Sequence, residues 1–463
     1  FDEVLKANWV YKPSLNYWDY KKGFSPELDD YLYLLQEAIL FEMQRRDDLF
    51  FGGLFRLLNL YIKSRKATIL QSDVLTFDDI TLAVYDLLQG NIDSEFLYFR
   101  LDSRVKHLLL DEFQDTSIIQ FDILRPLIDE IHAGKGINEG GSFFFVGDVK
   151  QSIYRFRGGV SALFYEVANY FDVEVKPLKV NYRSNSEIVK FVNKTFEEKM
   201  SRYIPQESSR EGGYVEVAVT DNIFQKILEA IHALTSQGVL QEDIAILTLT
   251  NSDGAKIEEL LEENGFDVVS ETTAKLLHQR SVKILNAFFR YCYFKEEIYR
   301  FNCASLLGVE PKDIVISETK DLLDSAIEFI KLWKIADKSA LLYLENIDRY
   351  RDLEELVFEV DRMELKAPNS DLTGIRVMTV HKSKGLEFNH VIVCDRLGQS
   401  NSRSDAIVYE YEGIRLQKIF YRIKGRELLD KEYSIAIEKE KILSKDDQFN
   451  GLYVALTRAI ESL

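Results

Sequence analysis

Residues 108 to 120, LLLDEFQDTSIIQ, decide how this chain is read. An apolar run that predicts a short buried strand ends directly in two acids, Asp111 and Glu112, so carboxylates are delivered where a parallel strand stops. Open α/β sheets keep their ligands at that edge. An acidic pair there can hold a magnesium ion on a nucleotide, a role that also requires a phosphate-cradling loop with a lysine. Acids at strand ends are often helix caps as well, so the surrounding chain has to decide.

The length of 463 residues suggests about three domains, and a hydrophobic content of 46% is ample for sizeable cores. With only 7 prolines and 23 glycines, the chain is neither disordered nor fibrous. Cys292, Cys303 and Cys394 lie far apart without CxxC spacing, which suggests neither a disulfide framework nor a zinc site and fits a reducing, cytoplasmic setting. No apolar stretch approaches a membrane span, and the opening FDEVLKANWVYKPS lacks the segments of a signal peptide. A net charge of -18 argues against a lysine-coated grip on nucleic acid, because phosphate binding works by neutralisation and counterion release. A narrow basic channel stays open. Two basic stretches are interleaved with aromatics, KQSIYRFRGG (150 to 159) and RLQKIFYRIKGR (415 to 426). For the second, a solvated helix or hairpin face is at least as good a reading as a DNA contact.

Periodicity divides the chain. Residues 1 to 74 read as a helical, amphipathic accessory segment, as in DDYLYLLQEAILFEMQ. From 75 to 178 the pattern is α/β: a strand at 105 to 110, a helix near 118 to 132, a Gly-rich loop and the strand FFFVG at 143 to 147. A second α/β region spans 179 to 270, where YVEVAV (214 to 219) and DIAIL (243 to 247) predict strands. They flank a helix from about Asn222, whose Ile227, Leu228, Ile231 and Leu234 share a face and whose end is marked by Gly238. Residues 271 to 373 hold Gly308 as their only glycine, are rich in Leu, Glu and Lys, and predict an inserted helical subdomain. From 374 to 463 the α/β signal returns with IRVMTV (375 to 380) and HVIVCD (390 to 395), and GLYVALTRAIESL is expected to close the chain as a helix.

Four further stretches carry chemistry. In VGDVKQSIYRFRGG (146 to 159) a strand ends in a polar loop holding Asp148, Gln151, Tyr154, Phe156 and Arg157. Gln151 can bond a terminal phosphate and an attacking water, Tyr154 and Phe156 can stack on bases, and Arg157 can pair with backbone phosphate. Taken singly, such aromatics are more often core residues and such a glutamine a loop cap. In VNYRSNSEIVKFVN (180 to 193) Arg183 sits between a strand end and a helix whose start is marked by Ser184, Asn185 and Ser186. It can act as an arginine finger or simply pair with a surface acid. VMTVHKSKGLEFNHVIV (377 to 393) places His381, Lys382, Lys384 and Glu387 between two apolar strands. YVALTRA (453 to 459) puts Arg458 on an otherwise apolar helix, where a buried arginine without an anion is costly and a phosphate is the natural partner.

In this order DEFQDTS, GDVKQSIYRFRGG, NYRS, TVHKSKGLEF and YVALTRA resemble motifs II to VI of superfamily 1A DNA helicases of the UvrD/RecB type. The resemblance covers roughly residues 75 to 463, and the lysines in GDVKQS and HKSKGLEF look most like the RecB/AddA helicase-nuclease subunits. It implies two RecA-like P-loop NTPase-type domains, the first incomplete, with helical accessory insertions. Residues 1 to 74 become the tail of the first insertion, 75 to 178 the partial first motor domain, 179 to 270 and 374 to 463 the two parts of the second, and 271 to 373 its insertion. It implies an ATP-driven motor on single-stranded or duplex-end DNA, 3′ to 5′, working in double-strand break repair and recombination beside AddB-like or RecC/RecD-like subunits, with no membrane partner. Carried over by position, Asp111 holds Mg²⁺, Glu112 orients and deprotonates the water, and Gln151 senses the γ-phosphate. Arg183 and Arg458 neutralise transition-state charge, and Glu387 contacts the nucleotide sugar. His381 links nucleotide to DNA, and Tyr154, Phe156 and Arg157 line the strand path.

No GxxxxGK[ST] occurs, and the one Gly-Lys pair, Gly134-Lys135, follows the acids rather than preceding them. With Phe1 in place of an initiator methionine, the expectation is that the phosphate loop lies upstream in a longer parent, that a nuclease domain follows Leu463, and that this piece alone is a poor ATPase. YWDYKKGF (17 to 24) contains the Asp-Tyr-Lys of RecB-family nuclease sites, but the metal-binding histidine and acid those sites require have no room before Asp19. Two other functions stay open: a UvrD-type repair helicase without nuclease, and a non-catalytic helicase-like scaffold protein.

Overall fold

The computed structural model describes residues 3–17, 21–72, 75–90, 105–133, 141–269, 275–314, 322–347, 349–363, 365, 367, 373–397 and 405–463. Asp19 and the Gly134-Lys135 pair lie outside them. In chain order the early elements are α1 (Pro26–Ser72), α2 (Phe77–Gly90), β1 (His107–Leu110), α3 (Ile118–Ala133), β2 (Ser142–Phe145) and α4 (Leu163–Tyr170). Next come β3 (Val180–Asn181), α5 (Ser186–Phe196), β4 (Glu207–Ser208), α6 (Ile223–Ser236), β5 (Ile244–Thr248), α7 (Asn251–Glu263) and β6 (Val268–Val269). Among the described residues, helices then follow without a strand between them: α8 (Arg280–Phe294), α9 (Glu297–Leu307), α10 (Leu322–Trp333), α11 (Lys338–Ile347) and α12 (Leu353–Glu359). The last are β7 (Ile375–Thr379), α13 (Val380–Ser383), β8 (Phe388–Val393), β9 (Ile407–Glu412), β10 (Arg415–Tyr421), α14 (Lys431–Leu456) and β11 (Ala459–Ser462). Parallel strands alternating with helices, plus a helical insertion, make this an α/β RecA-like chain. No helix among the described residues is long and apolar enough to cross a membrane.

Contacts divide the chain into two units. The first joins Phe1–Pro177, Glu198–Ile204 and Asn401–Tyr453. Its β1 and β2 pair in parallel, and Leu108, Leu110, Phe143 and Phe145 pack on a core of Phe113, Phe121, Ile128, Leu163, Phe164, Val167 and Phe171. The expected buried strand is buried on one face only. Leu109 is 68% and Phe144 57% exposed, because no described element covers that side. The helix expected in the first segment forms, but α1 is amphipathic only over its first half. Leu32, Ile39, Met43 and Phe51 are buried, whereas Phe55, Leu57, Leu58, Leu60, Tyr61 and Ile62 face solvent. A reciprocal Thr76–Asp79 cap starts α2, with Thr76 N donating to Asp79 Oδ2 (2.8 Å) and Asp79 N to Thr76 Oγ1 (3.2 Å).

Residues 401 to 453 join the first unit, whereas the sequence grouped them with the second motor domain. The β9–β10 hairpin lies on α1: Phe50 stacks on Tyr421 with centroids 4.4 Å apart, and Tyr421 N donates to Asp47 Oδ1 at 3.0 Å. Arg426, 1% exposed, donates to both Asp47 oxygens (2.8 and 2.7 Å) and to Asp430 Oδ2 (2.9 Å). Lys418 and Arg422 pair with Glu432 and Glu440 of α14. The stretch 415 to 426 thus forms a hairpin strand and the turn after it, with Lys418, Arg422 and Arg426 each paired to an acid.

The second unit joins Leu178–Glu197, Pro205–Ser400 and Val454–Leu463. Its five-stranded parallel sheet has the order β11-β8-β5-β7-β6. Central β5 is buried at every position, as its apolar run Ile244–Leu247 requires, and Thr248 closes it. The α6 helix begins at its Asn222 cap and buries Ile227 and Ile231, and Gly238 follows it with φ +88°. The described residues between 276 and 360 form a helical core of their own around Phe288, Phe289, Phe329 and Tyr343. Two expectations fail. YVEVAV is not a strand: Tyr214 makes an isolated bridge to Ser462, Glu216 N reaches Leu463 O at 2.9 Å, and Val217 and Val219 face solvent. The C-terminal helix stops at Leu456, since the residues from Ala459 extend into β11 beside β8. Arg458 therefore occupies the turn between helix and strand rather than the helix.

Candidate functional site

Asp111 and Glu112 leave the C-terminal end of β1, as an open parallel sheet demands of ligand-binding residues. Glu112 takes a left-handed backbone, φ 53° and ψ 36°, which a residue with a Cβ adopts only at some cost. That turn points the chain into Phe113–Asp115 and lets Phe113 N bond Val146 O at 2.9 Å. Asp111 Oδ1 accepts from Glu112 N at 2.8 Å. Glu112 Oε2 accepts from Gln114 Nε2 at 2.5 Å, and Gln114 Oε1 accepts from Asp148 N at 2.9 Å. Asp148 in turn holds the loop after β2: its Oδ1 accepts from Lys150 N (3.1 Å) and pairs with Lys150 Nζ (2.7 Å), and its Oδ2 accepts from Gln151 Nε2 (3.0 Å). Asp111, Glu112 and Gln151 thus belong to one hydrogen-bonded assembly. Gln114 and Asp148 make it, and the sequence reading assigned no role to the first. The signal for it was a glutamine three residues after Asp111, in a segment whose apolar Phe113 forces the turn inward.

Beyond Gln151 the loop presents Tyr154, Phe156 and Arg157 together. The Tyr154 and Phe156 rings are 6.1 Å apart, and the Arg157 guanidinium lies 5.3 and 5.5 Å from their centroids. Phe156 is 69% exposed, so the core reading fails for it; Tyr154 is half-buried. Burial pushes the Tyr154 hydroxyl above its ordinary pKa, and the Asp115 charge adds to this while Arg157 opposes it. The loop is braced by α14: Asn450 Nδ2 donates to Ser152 O (2.9 Å), and Arg155 pairs with Asp447 (2.6 Å).

In the second unit Asn181 Oδ1 accepts from both Arg183 N (2.9 Å) and Ser184 N (3.0 Å), while Ser184 Oγ donates to Ala459 O (2.6 Å). The Asn185 side chain makes no cap bond; Glu187 N instead meets Gly212 O at 3.0 Å. So anchored, Arg183 directs Nε to Glu387 Oε2 at 2.7 Å and a terminal nitrogen to Thr457 O at 3.4 Å. Arg458 is fully buried and donates to Val454 O (2.9 Å), Leu386 O (3.1 Å) and Thr457 Oγ1 (3.0 Å). Carbonyl oxygens take up a large part of its hydrogen-bonding capacity, so the anion expected to balance it is not its sole partner. Arg183, Glu387 and Arg458 therefore cluster around the Leu386 and Thr457 turns. His381 is exposed on the short α13, at the C-terminal end of β7.

The described residues contain no group of three or more His, Cys, Asp or Glu side chains able to cage a metal. Two adjacent carboxylates at a strand end fit a magnesium ion, which keeps several waters and shares its shell with phosphates. Asp111 would hold it, with Glu112 beside it to act on water, and a bound ion would supply charge neutralisation on a phosphate chain.

Residues 37–172 match the UvrD/REP helicase N-terminal domain, and residues 177–303 and 315–463 match the UvrD-like helicase C-terminal domain. The AddA-type polypeptide of the ATP-dependent helicase/nuclease of Lactococcus lactis subsp. lactis is 23% identical over 87% of this chain and 43% of its own length. Its counterpart in Pediococcus pentosaceus is 23% identical over 100% of this chain and 47% of its own. The exonuclease/helicase subunit RexA of Lactococcus lactis subsp. cremoris is 23% identical over 87% of this chain and 43% of its own. The chain thus spans a little under half the length of these relatives.

Proposed function

Because the chain belongs to the UvrD-like helicase family, we propose that it forms the larger part of an ATP-dependent motor on single-stranded DNA. We take that motor to be of the AddA helicase/nuclease type, cytoplasmic, moving 3′ to 5′ and acting in double-strand break repair with an AddB-like partner. The observation that carries this reading is the union of Asp111, Glu112 and Gln151 in one network at the end of β1, the residue types that phosphoryl transfer to water uses. Glu112 orients and deprotonates the attacking water, Gln151 reports the terminal phosphate, and Asp111 anchors Mg²⁺. Arg183 and Arg458 compensate charge and Glu387 meets the sugar. Tyr154, Phe156 and Arg157 form the stacking and phosphate surface for the strand, with His381 between nucleotide and DNA. The 463 residues contain no phosphate-loop motif, so this chain by itself is expected to hydrolyse ATP negligibly.

The test uses the full-length protein with its partner. ATP hydrolysis is measured with and without single-stranded DNA, and polarity is read from displacement of a protein block at either end of the strand. Strong stimulation and block removal at the 5′ end support the reading; hydrolysis indifferent to DNA refutes it, and absent hydrolysis refutes it in favour of a scaffold role.

A further inference from the structure

Gln114 is a buried polar residue of the first unit to which the roles above assign nothing. Its side chain is wholly buried at the end of a sheet, where an unmet amide is costly. We propose that Gln114 is a positioning residue that aims the Glu112 carboxylate and ties it to the loop carrying Gln151. The proposal rests on the reading of Glu112 as the residue that activates water.

The geometry points one way. The Asp148 N–H requires an acceptor, so the amide oxygen faces it and the NH₂ group is left to donate to Glu112 Oε2. The reverse orientation would set donor against donor and oxygen against carboxylate. The close approach depends on Gly147, where an added Cβ would press into Gln114 Oε1 and lie 3.2 Å from the backbone nitrogens of Phe113 and Gln114. A third contact, Ser152 Oγ to Gln114 O at 3.3 Å, holds the main chain of Gln114 to the far side of the same loop. The path from Glu112 through Gln114 and Asp148 to Gln151 therefore has no gap: each link is a hydrogen bond of 3.0 Å or less. A carboxylate on a left-handed, strained residue has no helix or strand to set its direction, and the Gln114 amide supplies one. Any shift of Gln151 on meeting a phosphate is then felt at Glu112.

The experiment compares Gln114→Leu, Gly147→Ala and Glu112→Gln in the full-length protein, following kcat and KM for ATP in DNA-stimulated hydrolysis. Gln114→Leu keeps a similar volume but neither donates nor accepts. It is expected to lower kcat at least about tenfold with KM for ATP within about threefold, and Gly147→Ala, pressing the amide from its other side, to give the same split. Added to Glu112→Gln, the Gln114→Leu change should cost less than about twofold more in residual turnover, because the group it aims is already gone. Multiplicative losses would overturn the proposal, as would wild-type kcat in Gln114→Leu. If Gln114→Leu does not fold, Gln114→Asn, which keeps the amide one methylene short, carries the same kcat criterion. Should Glu112→Gln turn over normally, the functional reading itself fails; should it be inactive while Gln114→Leu is normal, only the positioning role does.

Discussion

Replacing Arg426 by alanine should destabilise the first unit more than almost any other single change outside its apolar core. The guanidinium is 1% exposed, shares Nη1 between both Asp47 oxygens, donates Nε to Asp430, and is flanked by the Phe420 and Tyr433 rings at 5.0 and 4.9 Å. Alanine leaves two carboxylates, 14% and 10% exposed, facing a vacated space with no counterion between them. Breaking one side of a buried pair costs roughly 3 to 5 kcal/mol. For a unit of this size that is a fall in Tm of about 6 to 20 °C. Near-UV circular dichroism follows the melt, and limited proteolysis checks that the hairpin has come away from α1. Neutralising the acids together with the arginine, as Arg426→Met with Asp47→Asn and Asp430→Asn, should recover most of the loss. A Tm for Arg426→Ala within about 2 °C of the parent would refute the reasoning, because only a weak, solvated contact costs so little.

Three other outcomes follow from named groups. Burial pushes the Cys303 and Cys394 thiols up to about 12, with Cys292 adding to the first and Asp253 to the second. At pH 8 a thiol reagent should therefore leave both unmodified in the native chain and label all three cysteines in denaturant; two or more fast thiols would contradict this. Arg183→Ala removes a half-exposed ion pair with Glu387, worth under about 1 kcal/mol, so Tm should barely move. Its ATP turnover in the full-length protein should nevertheless fall about a thousandfold, and a parallel loss of both would make it structural. Phe156→Ala strips an exposed ring, so Tm should hold while single-strand affinity drops by about 1 to 3 kcal/mol, roughly 5- to 150-fold; unchanged binding would take Phe156 off the strand path.

The sequence was legible where burial and periodicity agree. The unbroken IAILT of β5 and the Asn222-to-Gly238 helix could be read because each pattern admits one structure. It misled where a pattern needs a partner. YVEVAV alternates like a strand, yet beyond Glu216 no described neighbour offers it a ladder, so Val217 and Val219 stay exposed. The terminal LTRAIESL has helical composition, but pairing with β8 outweighs propensity and carries Arg458 into a turn. The acids, Gln151 and Arg183 were visible because their neighbours in sequence are strand ends. Gln114 was not, since its burial depends on Gly147 and Asp148 arriving from a second strand.

The most direct test of the central claim is Glu112→Gln in the full-length protein, with nucleotide binding and DNA-stimulated hydrolysis measured side by side. The substitution keeps the shape of the side chain and removes its basicity. Nucleotide affinity should stay within a few-fold of the parent while turnover falls by about a hundredfold or more, in line with loss of a general base. Hydrolysis at the parent rate would mean that the carboxylate after β1 does not activate water, and the account of this chain as a motor would fall with it.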